Sequence, residues 1–230
     1  SEKVRFLDPK SAPYASIGPV AIMRELFVDI LTEPRENAEI ITKATIATEI
    51  EVVRLHDGWV ELRLPNGRPG FIRKHEAKLV DKESAQTMWL PEPRKLAETA
   101  MRFIGVPYLW GGTSPFGIDC SGFAQLVYRV HNVTLLRDAR MQAGDARCVE
   151  VAKPDLHAGD LVFFSRAKNS GLKSITHVGM MLDREHFIHS SGALGVAITD
   201  IHDAYFSDTY WGARRVRLDT LDPGGGVAED

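Results

Sequence analysis

Between Gly18 and Val80 apolar and polar residues alternate over short intervals, in runs rich in β-branched and aromatic side chains. Residues 38–42, 46–55, 58–64 and 70–73 read as strands. Asp57-Gly58 and Asn66-Gly67 fall between such runs and favour tight hairpin turns. Five or so strands in about 60 residues predict a small β-barrel. Beyond Pro93 the period changes. Leu96, Ala97, Ala100, Met101 and Ile104 recur at helical spacing over 94–104, and Gly105 supplies a stop. A second helix is predicted over 121–131, where Phe123, Leu126, Val127 and Val130 share a face, and a short third over 139–146. Strands are then expected at 160–165, 176–182, 187–191, 196–199 and 212–216. Helices followed by an antiparallel sheet make an α+β domain. The expected organisation is a β-barrel domain over 1–80, a charged and proline-bearing linker over 81–93, and the α+β domain over 94–218. A tail over 219–230, with three consecutive glycines, is expected to be disordered.

Composition narrows the partners. The 230 residues are 44% apolar and 26% charged, as in ordinary globular proteins. A formal charge of −3 gives no basic field, which argues against nucleic acid as a partner. No apolar run reaches the roughly 18 residues of a membrane-spanning helix. No leader is visible, but the chain starts at serine, so both cytoplasm and cell envelope stay open as compartments. Nothing in the pattern sets an oligomeric state. Two cysteines, Cys120 and Cys148, make neither a disulfide framework nor a close-spaced metal pair.

Cys120 stands in Asp119-Cys120-Ser121-Gly122, between a breaker-rich loop (Trp110 to Gly117) and an apolar helix. At the first turn of a helix, unpaired N–H groups and the dipole stabilise a thiolate, which can bring a thiol pKa to about 3.5–7.5. The same N–H groups can hold an oxyanion. Asp119 is placed to cap the helix, and Gly122 to admit a close neighbour. The alternative is a buried structural cysteine. A nucleophilic thiolate needs a base and a group that orients the base. His177 and His189 lie on two strands joined by a short turn. Their spacing puts both on one face, opposite or diagonal, where two imidazoles can hydrogen-bond. The other six histidines sit in polar or turn contexts and read as surface residues. Zinc ligation by Cys120, His177 and His189 is the competing chemistry, although a structural zinc site needs a fourth ligand.

Five ordered blocks carry a resemblance. They are Tyr108-Leu109-Trp110-Gly111-Gly112, Asp119-Cys120-Ser121-Gly122, Arg137 with Gln142, Ala158 to Phe164, and the two histidine segments. Over about 94–217 the chain resembles the NlpC/p60 family of papain-like cysteine peptidases, which cut bacterial cell-wall peptides. The resemblance implies a papain-like catalytic domain without metal or organic cofactor. It implies Cys120 as nucleophile, His177 as general base and acid, and His189 as the third polar residue. Tyr108, Trp110, Asp119 and Ser121 would line the substrate or oxyanion site; a core aromatic is the alternative for Tyr108.

Residues 18–80 look like a bacterial SH3-like domain, from Asp57-Gly58-Trp59-Val60 and Gly70-Phe71-Ile72. Joined to this catalytic domain, the barrel resembles the γ-D-glutamyl-L-diamino acid endopeptidases of murein-peptide recycling, whose substrates carry a free N-terminal L-alanine. Asp138 matches an acidic residue by which that group binds the free amine; the alternative is a cap for the helix at 139–146. Arg68 and Leu136 depart from the group's pattern, and Glu33 or Glu36 is the candidate acid on the barrel. The expected partner is therefore a murein peptide. An amidase or acyltransferase on the same Cys-His-His set, and a non-catalytic murein-binding protein, are the alternative functions.

Overall fold

The computed structural model of the chain describes residues 18–81, 92–166 and 171–217, and places them in two units divided after Thr87. The 81–93 linker lies almost wholly outside the described residues, and the 219–230 tail entirely so.

In the first unit the strands are β1 (Pro19–Met23), β2 (Phe27–Leu31), β3 (Ile40–Thr45), β4 (Glu49–His56), β5 (Trp59–Arg63), β6 (Pro69–Arg73) and β7 (Ala77–Asp81). They form one antiparallel sheet in the order β3-β2-β6-β5-β4-β1-β7. Seven strands replace the expected five. β1 carries no alternation to read: Ala21 and Met23 enter the main core with Val28, Ile30 and Leu62, while Val20 and Ile22 pack with Val80. A strand buried on both faces is a plain apolar run. The expected 46–55 strand begins later, because the chain first turns at Ala47, whose φ is 62°. Both predicted hairpin dipeptides place glycine in the left-handed region, Gly58 at φ 73° and Gly67 at 78°.

The second unit begins with α1 (Pro93–Met101), continues through a two-residue ladder of β8 (Thr113–Ser114) with β9 (Gly117–Ile118), and reaches α2 (Cys120–Val130) and α3 (Ala139–Ala143). Six strands follow: β10 (Cys148–Val151), β11 (Leu161–Ser165), β12 (Ile175–Met181), β13 (His186–Ser191), β14 (Gly195–Asp200) and β15 (Tyr210–Val216). α4 (Ala204–Thr209) precedes the last. Their antiparallel order is β10-β15-β11-β12-β13-β14.

α1 stops three residues before the expected 104. Phe103 leaves the helix to lie edge-on against Phe123 of α2, with ring centroids 5.6 Å apart. α3 likewise ends at Ala143, before Gly144. α2 buries Phe123, Ala124, Leu126 and Val127 against β12 and β13, so its N-terminus opens over the sheet. One polar tie joins α2 to the segment entering β11, and another joins that segment to β15. Tyr128 Oη donates to the Gly159 carbonyl at 2.7 Å, and fully buried Asp160 accepts two hydrogen bonds from Arg215. No helix among the described residues is long and apolar enough to cross a membrane.

Candidate active site

Asp119 caps α2 from an extended backbone, φ −88° and ψ 175°, and its Oδ1 accepts the Gly122 N–H at 2.7 Å. The same carboxylate accepts from the Gly111 N–H, the Ser121 hydroxyl and both terminal nitrogens of Arg137. Burial works to raise the Asp119 pKa, but the Arg137 guanidinium, the Gly122 N–H and the Ser121 hydroxyl outweigh it and hold the carboxyl below its usual range. Gly122 lets the glycine loop close down on this turn: a Cβ there would stand 2.4 Å from the Gly112 carbonyl oxygen. Gln142, 1% exposed, donates from Nε2 to the Ser121 and Leu136 carbonyls, tying the helix start to the segment that carries Arg137.

This turn presents Cys120 to a cavity of about 850 Å³ that His177 and His189 also line. The expected lowering of the Cys120 pKa is reversed. Burial pushes the Cys120 thiol above its ordinary pKa and the Asp119 carboxylate adds to the effect, while the N–H groups of Val178, Ser121 and Cys120 offset only part. The N–H groups at the helix start do favour a thiolate, but the desolvation of a largely buried sulfur outweighs them.

The β12–β13 ladder pairs Met180 with Ile188 and Met181 with Phe187, which sets His177 diagonally across from His189. His177 Nε2 and His189 Nδ1 lie 2.7 Å apart, and His189 Nε2 lies 3.0 Å from Thr199 Oγ1. Phe164, Phe187 and Phe206 pack around the two rings. That apolar jacket lowers the His177 pKa to about 4, and burial together with His177 lowers that of His189 to about 3. At neutral pH the site therefore holds a thiol and two uncharged imidazoles. A zinc site does not match this geometry. Both nitrogens of His189 are engaged, and among the described residues no group of three or more His, Cys, Asp or Glu is placed to hold a metal ion.

Tyr108, half-buried, lines the same cavity; burial first, then the Cys120 and Asp119 charges, raise its phenol pKa. Trp110 stands 85% exposed at the cavity edge. Asp138 occupies the cap position of α3, yet its side chain makes no capping hydrogen bond. Asp138 is among the residues that line the cavity, and its carboxylate lies 4.0 Å from the Arg140 guanidinium. The six other histidines lie outside the cavity; His75 and His202 are exposed as expected, but His56, His131, His157 and His186 are half-buried and hydrogen-bonded, to Glu61, Thr99, the Ala158 carbonyl and Asp183, rather than plain surface residues. In the sequence Arg137 and Gln142 stand out only as positions that match the family's pattern. Their roles as clamps depend on contacts across 18 and 21 residues, which no local pattern shows. Thr199 was missed; its signal would have been the polar side chain opposite the histidine strand. On the first unit, Glu33 pairs with Arg35 and Glu36 with Arg73.

The NlpC/P60 family profile matches residues 105–215. A γ-D-glutamyl-L-lysine dipeptidyl-peptidase of Bacillus cereus is 37% identical over 153 residues, which are 66% of this chain and 44% of that protein. The Escherichia coli probable endopeptidase NlpC is 35% identical over 113 residues, 49% of this chain and 70% of its own length. Among solved structures, an NlpC/P60 family protein from Bacillus cereus superposes with a TM-score of 0.76 at 30% identity, covering 86% of this chain and 63% of that one. The chain thus spans about half the length of the dipeptidyl-peptidases it matches, 44% and 49% in the two Bacillus proteins. The profile, the E. coli relative covered over most of its length, and the superposition agree: the chain belongs to the NlpC/P60 family.

Proposed function

We propose that the chain is a cysteine endopeptidase that hydrolyses the γ-D-glutamyl–diamino acid bond of cell-wall peptides carrying a free N-terminal L-alanine. One observation carries the proposal: the thiol at the start of α2 shares its cavity with a pair of hydrogen-bonded, uncharged imidazoles. A neutral thiol beside a neutral base reacts as the proton leaves. Cys120 Sγ attacks the γ-carbonyl carbon of D-glutamate while its proton passes to His177. The oxyanion is held at the N-terminus of α2, with the Tyr108 hydroxyl beside it. His177 then protonates the departing amine of the diamino acid, leaving a thioester on Cys120. Water, deprotonated by His177, releases L-Ala-D-Glu and restores the thiol.

Asp138 supports the finer part of the reading. It lines the cavity without capping α3, so its carboxylate would be available to pair with the substrate ammonium and discriminate against an acylated N-terminus. The names of the Bacillus relatives fit this substrate class. The first unit is proposed to be an SH3-like barrel accompanying the catalytic domain over 94–218. The test is incubation with L-Ala-γ-D-Glu-L-Lys and with its diaminopimelate counterpart, with fragments identified by mass. L-Ala-D-Glu should be released by the wild-type chain and by Cys148→Ala but not by Cys120→Ala. Release of free alanine instead, or full activity in Cys120→Ala, would reject the proposal.

A further inference from the structure

His189 is contacted at both ring nitrogens, by His177 on Nδ1 and by Thr199 on Nε2. Its remaining surroundings include the rings of Phe187 and Phe206, 4.8 and 5.1 Å away between ring centroids. A neutral imidazole donates from one nitrogen and accepts on the other. Along a line of two imidazoles and one hydroxyl, only two proton arrangements are consistent. In one, His189 donates from Nε2–H to Thr199, accepts His177 Nε2–H on Nδ1, and leaves a lone pair on His177 Nδ1. In the other, Thr199 donates, every proton moves along, and His177 Nδ1 already carries a hydrogen. Only the first lets His177 take a proton from a thiol on its free nitrogen.

Thr199 sits on β14 opposite Phe187, diagonal to His189, and is half-buried, so its own O–H can turn to solvent while its lone pair stays on the ring. Among the described residues His177 hydrogen-bonds through Nε2, to His189, and it lines the cavity it shares with Cys120. Nδ1 is therefore the nitrogen left to meet the thiol, and the second arrangement would present a hydrogen there instead of a lone pair. We infer that Thr199 is a positioning residue that fixes His189 as the Nε2–H tautomer and so keeps His177 Nδ1 open as the proton acceptor for Cys120. This rests on the reading of Cys120 and His177 as nucleophile and base. Both rings being held neutral by burial is consistent with it. In such tautomer control the hydrogen bond on one imidazole nitrogen decides what the other can do.

Two measurements test it. Two-bond proton–nitrogen correlations on the ¹⁵N-histidine-labelled chain report the tautomer of each ring. Steady-state cleavage of L-Ala-γ-D-Glu-L-Lys reports kcat and KM. The wild-type chain should show Nε2–H on both rings. Thr199→Val should mix the His189 tautomers and lower kcat about tenfold with KM held within about twofold, and Thr199→Ser should restore both signals. His189 protonated on Nδ1 in the wild-type chain overturns the inference without any variant having to fold. So does wild-type kcat in Thr199→Val, or a Thr199→Ser chain as impaired as Thr199→Val, which would mean a packing role only. A wild-type chain with the Nε2–H pair but no γ-D-glutamyl cleavage would reject the peptidase reading and leave the tautomer assignment standing.

Discussion

Replacing Arg137 by methionine tests whether the turn that carries Cys120 is held by charge. The substitution removes three hydrogen bonds, two to Asp119 and one to the Ser121 hydroxyl, and keeps much of the apolar stem. Asp119 would keep the N–H groups of Gly111 and Gly122 and the Ser121 hydroxyl, so its carboxylate would not be stranded. A fully buried pair that loses one member costs about 3–5 kcal/mol, and an exposed one about 0.2–1. The Asp119 side chain is 11% exposed and that of Arg137 36%, which places this pair between the two limits. The expected loss is about 2 kcal/mol, roughly a thirtyfold change in the folding equilibrium.

Its pH dependence has a definite sign. The Asp119 pKa is lowered in the folded chain, so the stabilisation is complete above the unfolded carboxylate value of about 3.9 and is lost as pH falls through the lower folded value. Urea unfolding of wild type, Arg137→Met, Asp119→Asn and the double variant at about pH 7 and about pH 3 gives the coupling energy. The cycle cancels whatever the first unit contributes. A coupling below about 0.5 kcal/mol at neutral pH, or one that does not shrink in acid, would refute the argument.

Two further predictions concern activity. The free enzyme needs His177 uncharged, and its pKa lies at about 4, so kcat/KM should climb with pH through about that value and be level by pH 6. An acid limb centred on the ordinary histidine value of about 6.5 would contradict the apolar jacket around the rings. Asp138→Asn should raise KM for free-amine peptides by about tenfold, with little change in kcat and no effect on N-acetylated ones; equal effects on both substrates, measured side by side, would count against an ammonium partner.

What could be read in advance was whatever is encoded locally. The breaker-rich loop followed by a periodic apolar run located the start of α2 to within one residue, and with it the cap Asp119 and the thiol. The spacing of His177 and His189 gave their common face, because side-chain direction in a strand has period two. The ionisation of Cys120 was misread, since desolvation depends on segments folded over it from elsewhere in the chain. β10 and α4, with four and six residues, were too short to declare a period, yet α4 supplies Phe206 to the jacket around the histidines. The same limit hid the Arg137 clamp and Thr199, whose partners are distant in sequence.

The turn between β12 and β13 has more consequence than its exposure implies. Leu182 N–H donates to the His186 carbonyl, and Asp183 accepts the N–H groups of Glu185 and His186, so the reversal is closed by its own side chain. One residue more or fewer here, if the ladder slips by a step, sends His189 to the far side of the sheet, away from His177 on β12. Two residues would return it to the correct side but shift it along the strand. Loop tips ordinarily absorb insertions freely. This one acts as a counter, and the proton path behind Cys120 exists only at a single setting of it.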